Sequence, residues 1–121
     1  MKKTVLIVDD SETVRQHVSR SLTGAGFGTI EAADGVEGLV RALTEDVSLV
    51  LLDVNMPRLN GLDMLDRMRE DPKGAALPVL MLTTEAQPSM IERAKKAGAK
   101  GWMIKPVKPE LLVSAVSRLT R

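Results

Sequence analysis

The chain has 121 residues with no cysteine and one histidine, which suits a single domain and excludes a disulfide-based fold. Its 17 basic and 16 acidic residues leave a formal net charge of +1, which excludes a general attraction to nucleic acid or to a membrane surface. The apolar run before Asp9 is too short for a signal peptide, and no window is long enough to span a bilayer. We therefore predict a cytoplasmic protein in which residues 1–121 form one domain.

The N-terminal segment predicts a strand followed by a helix. Residues 4–8 form an apolar run that ends on the adjacent carboxylates Asp9 and Asp10. Apolar residues then recur at i, i+4 and i+8, which is the spacing of an amphipathic helix. We expect this helix to begin after a cap at Ser11 or Asp10 and to stop at Gly24.

The second strand and the second helix follow directly. Residues 27–32 are less apolar than the first strand, which suits the edge of a sheet. The next helix begins at Asp34-Gly35 and ends at Glu45-Asp46, with apolar residues at i, i+3, i+4 and i+7. This spacing predicts an amphipathic helix that packs on one face of the sheet.

The third strand is a run of four aliphatic residues, Leu49–Leu52, that ends on Asp53. Such a run without polar alternation is typical of a central parallel strand buried on both faces, and the carboxyl ends of such strands open into a surface crevice. Breaker residues then predict a turn. A third helix begins at Leu62 and ends at Asp71-Pro72, because proline disfavours helix in the residue before it.

The last third of the chain repeats the alternation of strand and helix twice. We expect strands over residues 78–82 and 101–104, a helix roughly over 89–97, and a final helix that carries apolar residues at 111–119. Five strands alternating with five helices predict an α/β fold with a doubly wound parallel sheet. Right-handed crossovers then place helices on both faces of that sheet.

Polar side chains follow four of the predicted strands, namely Asp9 with Asp10, then Asp53, Thr83 and Lys105. Three carboxylates at one sheet edge repel each other, and either protonation or a bound divalent cation relieves that repulsion. Oxygen ligands favour Mg²⁺ over zinc. The set as a whole suits phosphoryl transfer, with Asp53 as acceptor, Asp10 and Asp53 on Mg²⁺, and Lys105 with Thr83 on the phosphoryl oxygens.

These residues stand in motifs that together resemble the receiver domain of bacterial two-component response regulators, most closely the single-domain chemotaxis (CheY) type. The matching motifs are Val8-Asp9-Asp10, Leu51-Leu52-Asp53-Val54-Asn55-Met56-Pro57 with Gly61, Leu82-Thr83-Thr84-Glu85, and Gly101-Trp102-Met103-Ile104-Lys105-Pro106. The resemblance covers essentially the whole chain. It implies a flavodoxin-like (βα)5 fold with strand order 2-1-3-4-5.

The resemblance also implies a chemical role for each motif. Asp53 would accept a phosphoryl group from a histidine kinase and then lose it by hydrolysis. Asp10, Asp53 and the backbone carbonyl of Asn55 would bind Mg²⁺, or alternatively Mn²⁺, with Asp9 acting directly or through water. Lys105 would pair first with Asp53 and then with the phosphoryl group.

The remaining expectations concern the switch. The Thr83 hydroxyl would move inward to the phosphoryl group, the Thr84 amide would contact it, and a cis peptide bond before Pro106 would help to aim the lysine. Trp102 stands where the family usually has Tyr or Phe, so it is either a modified switch residue or a plain packing residue of an edge strand. The side chains of Asn55 and Glu85 border the water path, which leads us to expect that they set the dephosphorylation rate.

The leading functional hypothesis is therefore a phosphorylation-switched binding module and not an enzyme. Its expected partners are a chemotaxis-type histidine kinase, a possible phosphatase, and an output target such as a flagellar motor switch protein. The target would bind the basic segment 85–121, through its fourth helix, fifth strand and fifth helix. The alternative is a phosphorelay intermediate or phosphate sink that exchanges phosphate with a histidine phosphotransfer protein. A haloacid-dehalogenase-like phosphatase is disfavoured, because its Asp-x-Asp motif would have to follow the first strand.

Overall fold

A computed structural model describes residues 2–121 and contains a five-stranded parallel sheet in the order β2-β1-β3-β4-β5. The strands are β1 (Thr4–Val8), β2 (Gly28–Ala32), β3 (Leu49–Leu52), β4 (Val79–Thr83) and β5 (Gly101–Ile104). The predicted doubly wound α/β fold and its strand order are confirmed. Both edge strands, β2 and β5, are only partly buried, as we expected for β2.

Six helices occur in the described part of the chain, so the prediction of five was wrong. The helices are α1 (Glu12–Gly24), α2 (Gly35–Thr44), α3 (Gly61–Arg69), α4 (Pro72–Ala76), α5 (Pro88–Lys96) and α6 (Pro109–Leu119). We read Pro72 only as the end of a helix, but proline also suits the first position of a new one, where its missing N–H costs nothing. Asp71 caps this short helix by accepting from the Lys73 amide at 2.9 Å. The helices predicted as fourth and fifth are thus α5 and α6.

The helices α1, α2 and α3, which follow β1, β2 and β3, each begin at a residue whose side chain caps the helix. Ser11 accepts from the Val14 amide at 3.2 Å, which decides between the two predicted caps of α1. Asp34 begins α2 and Asn60 begins α3 in the same way. Each cap satisfies an amide that has no partner within the helix. None of the helices in residues 2–121 has the length and apolarity needed to cross a bilayer.

The core lies on both faces of the sheet, because alternate residues of each inner strand face opposite sides. In β1, Leu6 and Val8 join one buried cluster, while Val5 and Ile7 join the other. All residues of β3 and β4 are buried. The uninterrupted apolar runs in the sequence therefore correspond to strands covered by helices on both sides.

Tight backbone contacts hold the loop between β3 and α3, which follows Asp53. A Cβ atom at Gly61 would lie 1.9 Å from the carbonyl oxygen of Asp53, so only glycine allows this approach. The Gly61 amide also donates to the Val54 carbonyl at 2.8 Å. The start of α3 is thereby packed directly against the backbone at the end of β3.

Candidate functional site at the carboxyl edge of the sheet

Parallel pairing continues one residue beyond the strands and aligns the predicted site residues. The Asp53 amide donates to the Val8 carbonyl at 3.0 Å, and the Lys105 amide donates to the Thr83 carbonyl at 2.9 Å. Asp9 follows β1 directly and thus stands beside Asp53. The sheet register therefore brings residues that are far apart in sequence to one edge.

Three carboxylates meet at this edge. Asp9, Asp10 and Asp53 each present an oxygen within 4.8 Å of the others. Asp9 and Asp53 are buried, with exposed fractions of 2% and 6%, whereas Asp10 is exposed. An all-oxygen set with one side open to solvent fits a hard divalent cation such as Mg²⁺, which keeps several waters when it binds to proteins.

A half-buried ammonium group lies between the two buried carboxylates. Lys105 Nζ donates to Asp9 Oδ2 at 2.5 Å and to Asp53 Oδ2 at 3.2 Å. Its side chain is 15% exposed. The resemblance implied a contact with Asp53, and the structure places the shorter contact on Asp9.

The electrostatics of this site follow from burial and from close opposite charges. Burial raises the pKa of the Asp9 carboxyl, while hydrogen bonds from Lys105 and from the Ser11 amide oppose that rise. Burial by itself would lower the pKa of Lys105, but the hydrogen bond to Asp9 and the charges of Asp53 and Asp9 outweigh it, so this pKa is raised. The ammonium group is therefore held in its charged form beside the carboxylates.

Both oxygens of Asp53 are oriented. Its Oδ1 accepts from the Val54 amide at 2.8 Å, while its Oδ2 faces Lys105. Thr83 is completely buried at the end of the neighbouring strand β4, where its hydroxyl oxygen accepts from the Glu85 amide at 3.2 Å. A group attached to Asp53 would thus lie beside the ammonium group of Lys105, and Thr83 stands at the end of the neighbouring strand.

A hydrogen-bonded rim connects the loop after β3 to the loop after β4. Asn55 Nδ2 donates to Glu85 Oε1 at 2.7 Å, and the indole N–H of Trp102 donates to the Glu85 carbonyl at 2.8 Å. Sequence reasoning named Asn55, Glu85 and Trp102 but did not predict that Glu85 bonds to the other two. Trp102 also packs against the larger core cluster, so it is a packing residue and a hydrogen-bond donor at once.

Two other predicted residues, Thr84 and Pro106, stand outside this network. The side chain of Thr84 is exposed and makes no hydrogen bond within residues 2–121. The peptide bond between Lys105 and Pro106 is cis. Both residues border the site at the ends of β4 and β5.

Sequence reasoning missed one side chain that contacts this site, Arg15 of α1. Its Nη1 donates to the Asp9 carbonyl at 2.7 Å, and its Nε donates to Glu31 Oε1 at 3.1 Å. The available signal was its position four residues after the Ser11 cap, since helical side chains lean back toward the N-terminus of their helix.

The predicted docking surface consists of α5, β5 and α6. Two large apolar side chains on it are exposed, Ile104 at 45% and Leu111 at 57%. The same segment also carries exposed basic residues, including Lys100 and Lys108. The surface adjoins the site through Trp102 and Lys105, which lie at and just after β5.

The family model described as the response regulator receiver domain matches residues 5–117. A chemotaxis protein CheY homolog of Campylobacter jejuni is 36% identical over 110 residues, which cover 89% of this chain and 85% of the relative. The structure of Vibrio cholerae chemotaxis protein CheY4 matches with a TM-score of 0.92 and 39% identity, over 98% of this chain and 99% of that chain. A Borrelia burgdorferi CheX–CheY–BeF3–Mg²⁺ complex matches with a TM-score of 0.89 and 28% identity, over 97% and 88%. As the motifs predicted, the chain belongs to the family of response regulator receiver domains.

Proposed function

We propose that this protein is a phosphoacceptor response regulator that is phosphorylated on Asp53 by a histidine kinase and then binds a downstream target. The observation that carries the proposal is the buried Asp53 carboxylate, which stands beside Lys105, Thr83 and two further carboxylates at one sheet edge. Receiver domains are signalling phosphoacceptors and not classical enzymes. We accordingly assign only phosphoryl uptake and loss to this site.

In the proposed transfer, an oxygen of Asp53 forms a bond to the phosphorus of a phosphohistidine. The P–N bond breaks, and the imidazole keeps the electron pair and takes a proton from solvent. Lys105 is placed to neutralise charge on the phosphoryl oxygens, because its ammonium already contacts Asp53 Oδ2. In the return step a water oxygen bonds to phosphorus, the aspartyl P–O bond breaks, and inorganic phosphate leaves.

The residues that would hold Mg²⁺ are Asp9, Asp10, Asp53 and the backbone carbonyl of Asn55. The clustered carboxylate oxygens fit this cation, and Mn²⁺ prefers the same kind of ligands. When bound, the cation supplies positive charge for the oxygens of the transferred group. The protein's own part is to hold two of the carboxylates buried and oriented before any ligand arrives.

The proposed switch runs from Asp53 to the surface of α5, β5 and α6. A dianionic group on Asp53 attracts the Thr83 hydroxyl, the Thr84 amide and Lys105. Movement of Thr83 breaks its contact with the Glu85 amide, and Glu85 is in turn bonded to the Trp102 indole. Trp102 thereby connects the state of the site to the apolar and basic docking surface.

We also propose that Asn55 and Glu85 set the rate of phosphate loss. Their side chains bond to each other across the mouth of the site, where an attacking water has to enter. Asn55→Ala and Glu85→Ala should each change the hydrolysis rate, measured by the decay of the phosphorylated mass. An unchanged rate in both variants would contradict this role.

The phosphoacceptor proposal is tested by intact mass after incubation with Mg²⁺ and phosphoramidate. The wild-type protein should gain one phosphoryl group, and Asp53→Asn should gain none because its amide is not a nucleophile. Asp46→Asn is a matched control, since Asp46 is an exposed aspartate outside the site. Failure of the wild-type protein to gain the group would refute the proposal.

We also propose chemotaxis signalling as the setting and the cytoplasm as the location; the names of the relatives, which are chemotaxis proteins, support the setting. A chemotaxis-type kinase, a motor switch protein as target, and a phosphatase are the corresponding partners, and the Borrelia CheY is recorded in complex with CheX. A pull-down with the beryllium fluoride–Mg²⁺ form against the unmodified protein separates this setting from a relay. Recovery of an output component only with the beryllium fluoride–Mg²⁺ form supports the proposal. If both forms of the protein recover only phosphotransfer proteins, the relay or sink is favoured.

A further inference from the structure

Arg15 is a guanidinium group beside the acidic site that takes no part in the phosphoryl chemistry proposed above. Its side chain is 15% exposed and spans three segments. From α1 it reaches the Asp9 carbonyl in the loop after β1 and the Glu31 carboxylate on β2. The partner of its Nη1 is thus a backbone atom of the candidate cation site.

The Asp9 carbonyl belongs to the peptide group that connects Asp9 to Asp10, so its direction also fixes the backbone from which Asp10 projects. Asp9 is also held by its amide, which donates to the Ala32 carbonyl at 3.1 Å, and by its side chain, where Oδ1 accepts from the Ser11 amide and Oδ2 from Lys105. In the described chain no hydrogen bond holds the exposed Asp10 carboxylate itself. The orientation of Asp10 therefore depends on the peptide group that Arg15 holds.

We propose that Arg15 is a positioning residue for divalent cation binding, which it supports by fixing the Asp9–Asp10 peptide group and thereby aiming Asp10. This inference rests on the proposed function, because it assumes that the carboxylate cluster binds a cation. The sign of the change in cation affinity on replacing Arg15 separates positioning from simple electrostatics. As a positive charge Arg15 repels a cation, so loss of that charge alone would tighten binding, whereas loss of positioning weakens it.

The test is a titration with Mn²⁺, in which the electron paramagnetic resonance signal reports the free ion. Arg15→Gln should weaken binding about tenfold, the lower end of the range for partners that orient metal ligands. Arg15→Lys keeps the charge but lacks the two-pronged contact with Asp9 and Glu31, so it should also bind more weakly than wild type. Arg20→Gln is the matched control, since Arg20 is an exposed arginine of the same helix, and should bind as wild type does.

A double-mutant cycle with Asp10→Asn distinguishes positioning from a general loss of structure. Once Asp10 is removed as a ligand, Arg15→Gln should have little further effect, whereas a structural defect would add to the loss in either background. Equal or tighter Mn²⁺ binding by Arg15→Gln, or additive losses in the cycle, would overturn the inference. If Arg15→Gln does not fold, wild-type affinity in Arg15→Lys would overturn it. Absence of Mn²⁺ binding by the wild-type protein would instead count against the cation site of the proposed function.

Discussion

Gly61→Ala is the substitution whose effect follows most directly from the geometry around Asp53. The added Cβ would lie 1.9 Å from the Asp53 carbonyl oxygen and 3.1 Å from the Val54 Cα. Carbon and carbonyl oxygen pack no closer than about 3.3 Å, so the backbones must separate by about 1.4 Å. Both neighbouring atoms belong to the backbone, and no side-chain rotation relieves the overlap.

The free energy of unfolding should fall by about 2–3 kcal/mol, which is at the upper end for an added methyl group in a packed region. This figure includes a small gain from the better helix propensity of alanine. Unfolding entropies near 2.1 cal/mol/K per residue make 1 kcal/mol worth about 4 °C for a chain of this length. The midpoint of thermal unfolding should therefore fall by about 8–12 °C. Because Asp53 is attached to the displaced carbonyl, the rate of phosphorylation should fall as well.

Thermal unfolding followed by circular dichroism measures the first effect, and intact mass after phosphoramidate treatment measures the second. Gly24→Ala is the control, since a Cβ at this helical position has no neighbour within 4 Å. It should leave the midpoint unchanged or raise it slightly. A midpoint for Gly61→Ala within 2 °C of wild type, by the scale of about 4 °C per kcal/mol, would refute the close-contact reasoning.

Three further predictions concern side chains that make hydrogen bonds between elements. Arg69 donates to four backbone carbonyls near the ends of α4 and α5, so Arg69→Met should lose about 2 kcal/mol in urea unfolding while the exposed Arg67→Met is neutral. A hydrogen bond from Arg93 lowers the pKa of Asp63. The ionised carboxylate therefore stabilises the fold above the ordinary carboxyl pKa, and this stabilisation is lost as the pH falls through the lowered pKa of Asp63. Arg93→Gln should thus cost about 0.5 kcal/mol at pH 7 in low salt and nothing in 1 M NaCl or strong acid. Trp102→Phe keeps an aromatic ring, although a smaller one, and loses the indole N–H that donates to the Glu85 carbonyl. It should lose about 1 kcal/mol of stability, and an unchanged urea midpoint would count against that bond.

Local patterns in the sequence were sufficient for all five strands and for five of the six helices described in residues 2–121. The uninterrupted run Leu49–Leu52 indicated a strand buried on both faces, and β3 is buried throughout. The stop at Asp71-Pro72 was misread, because the same two residues that end one helix also cap and begin the short helix α4. A local signal of this kind has two valid outcomes, and packing of the next segment decides between them.

The sequence by itself determined which chemical groups stand at the ends of the strands, because apolar runs and breaker residues locate those ends. It also determined the family, since the motifs keep their order and spacing. Only the tertiary structure decided how the groups meet: Lys105 lies closer to Asp9 than to Asp53, and Glu85 joins Asn55 to Trp102. Contacts between residues far apart in sequence depend on sheet register and side-chain direction, and neither leaves a periodic trace in the sequence.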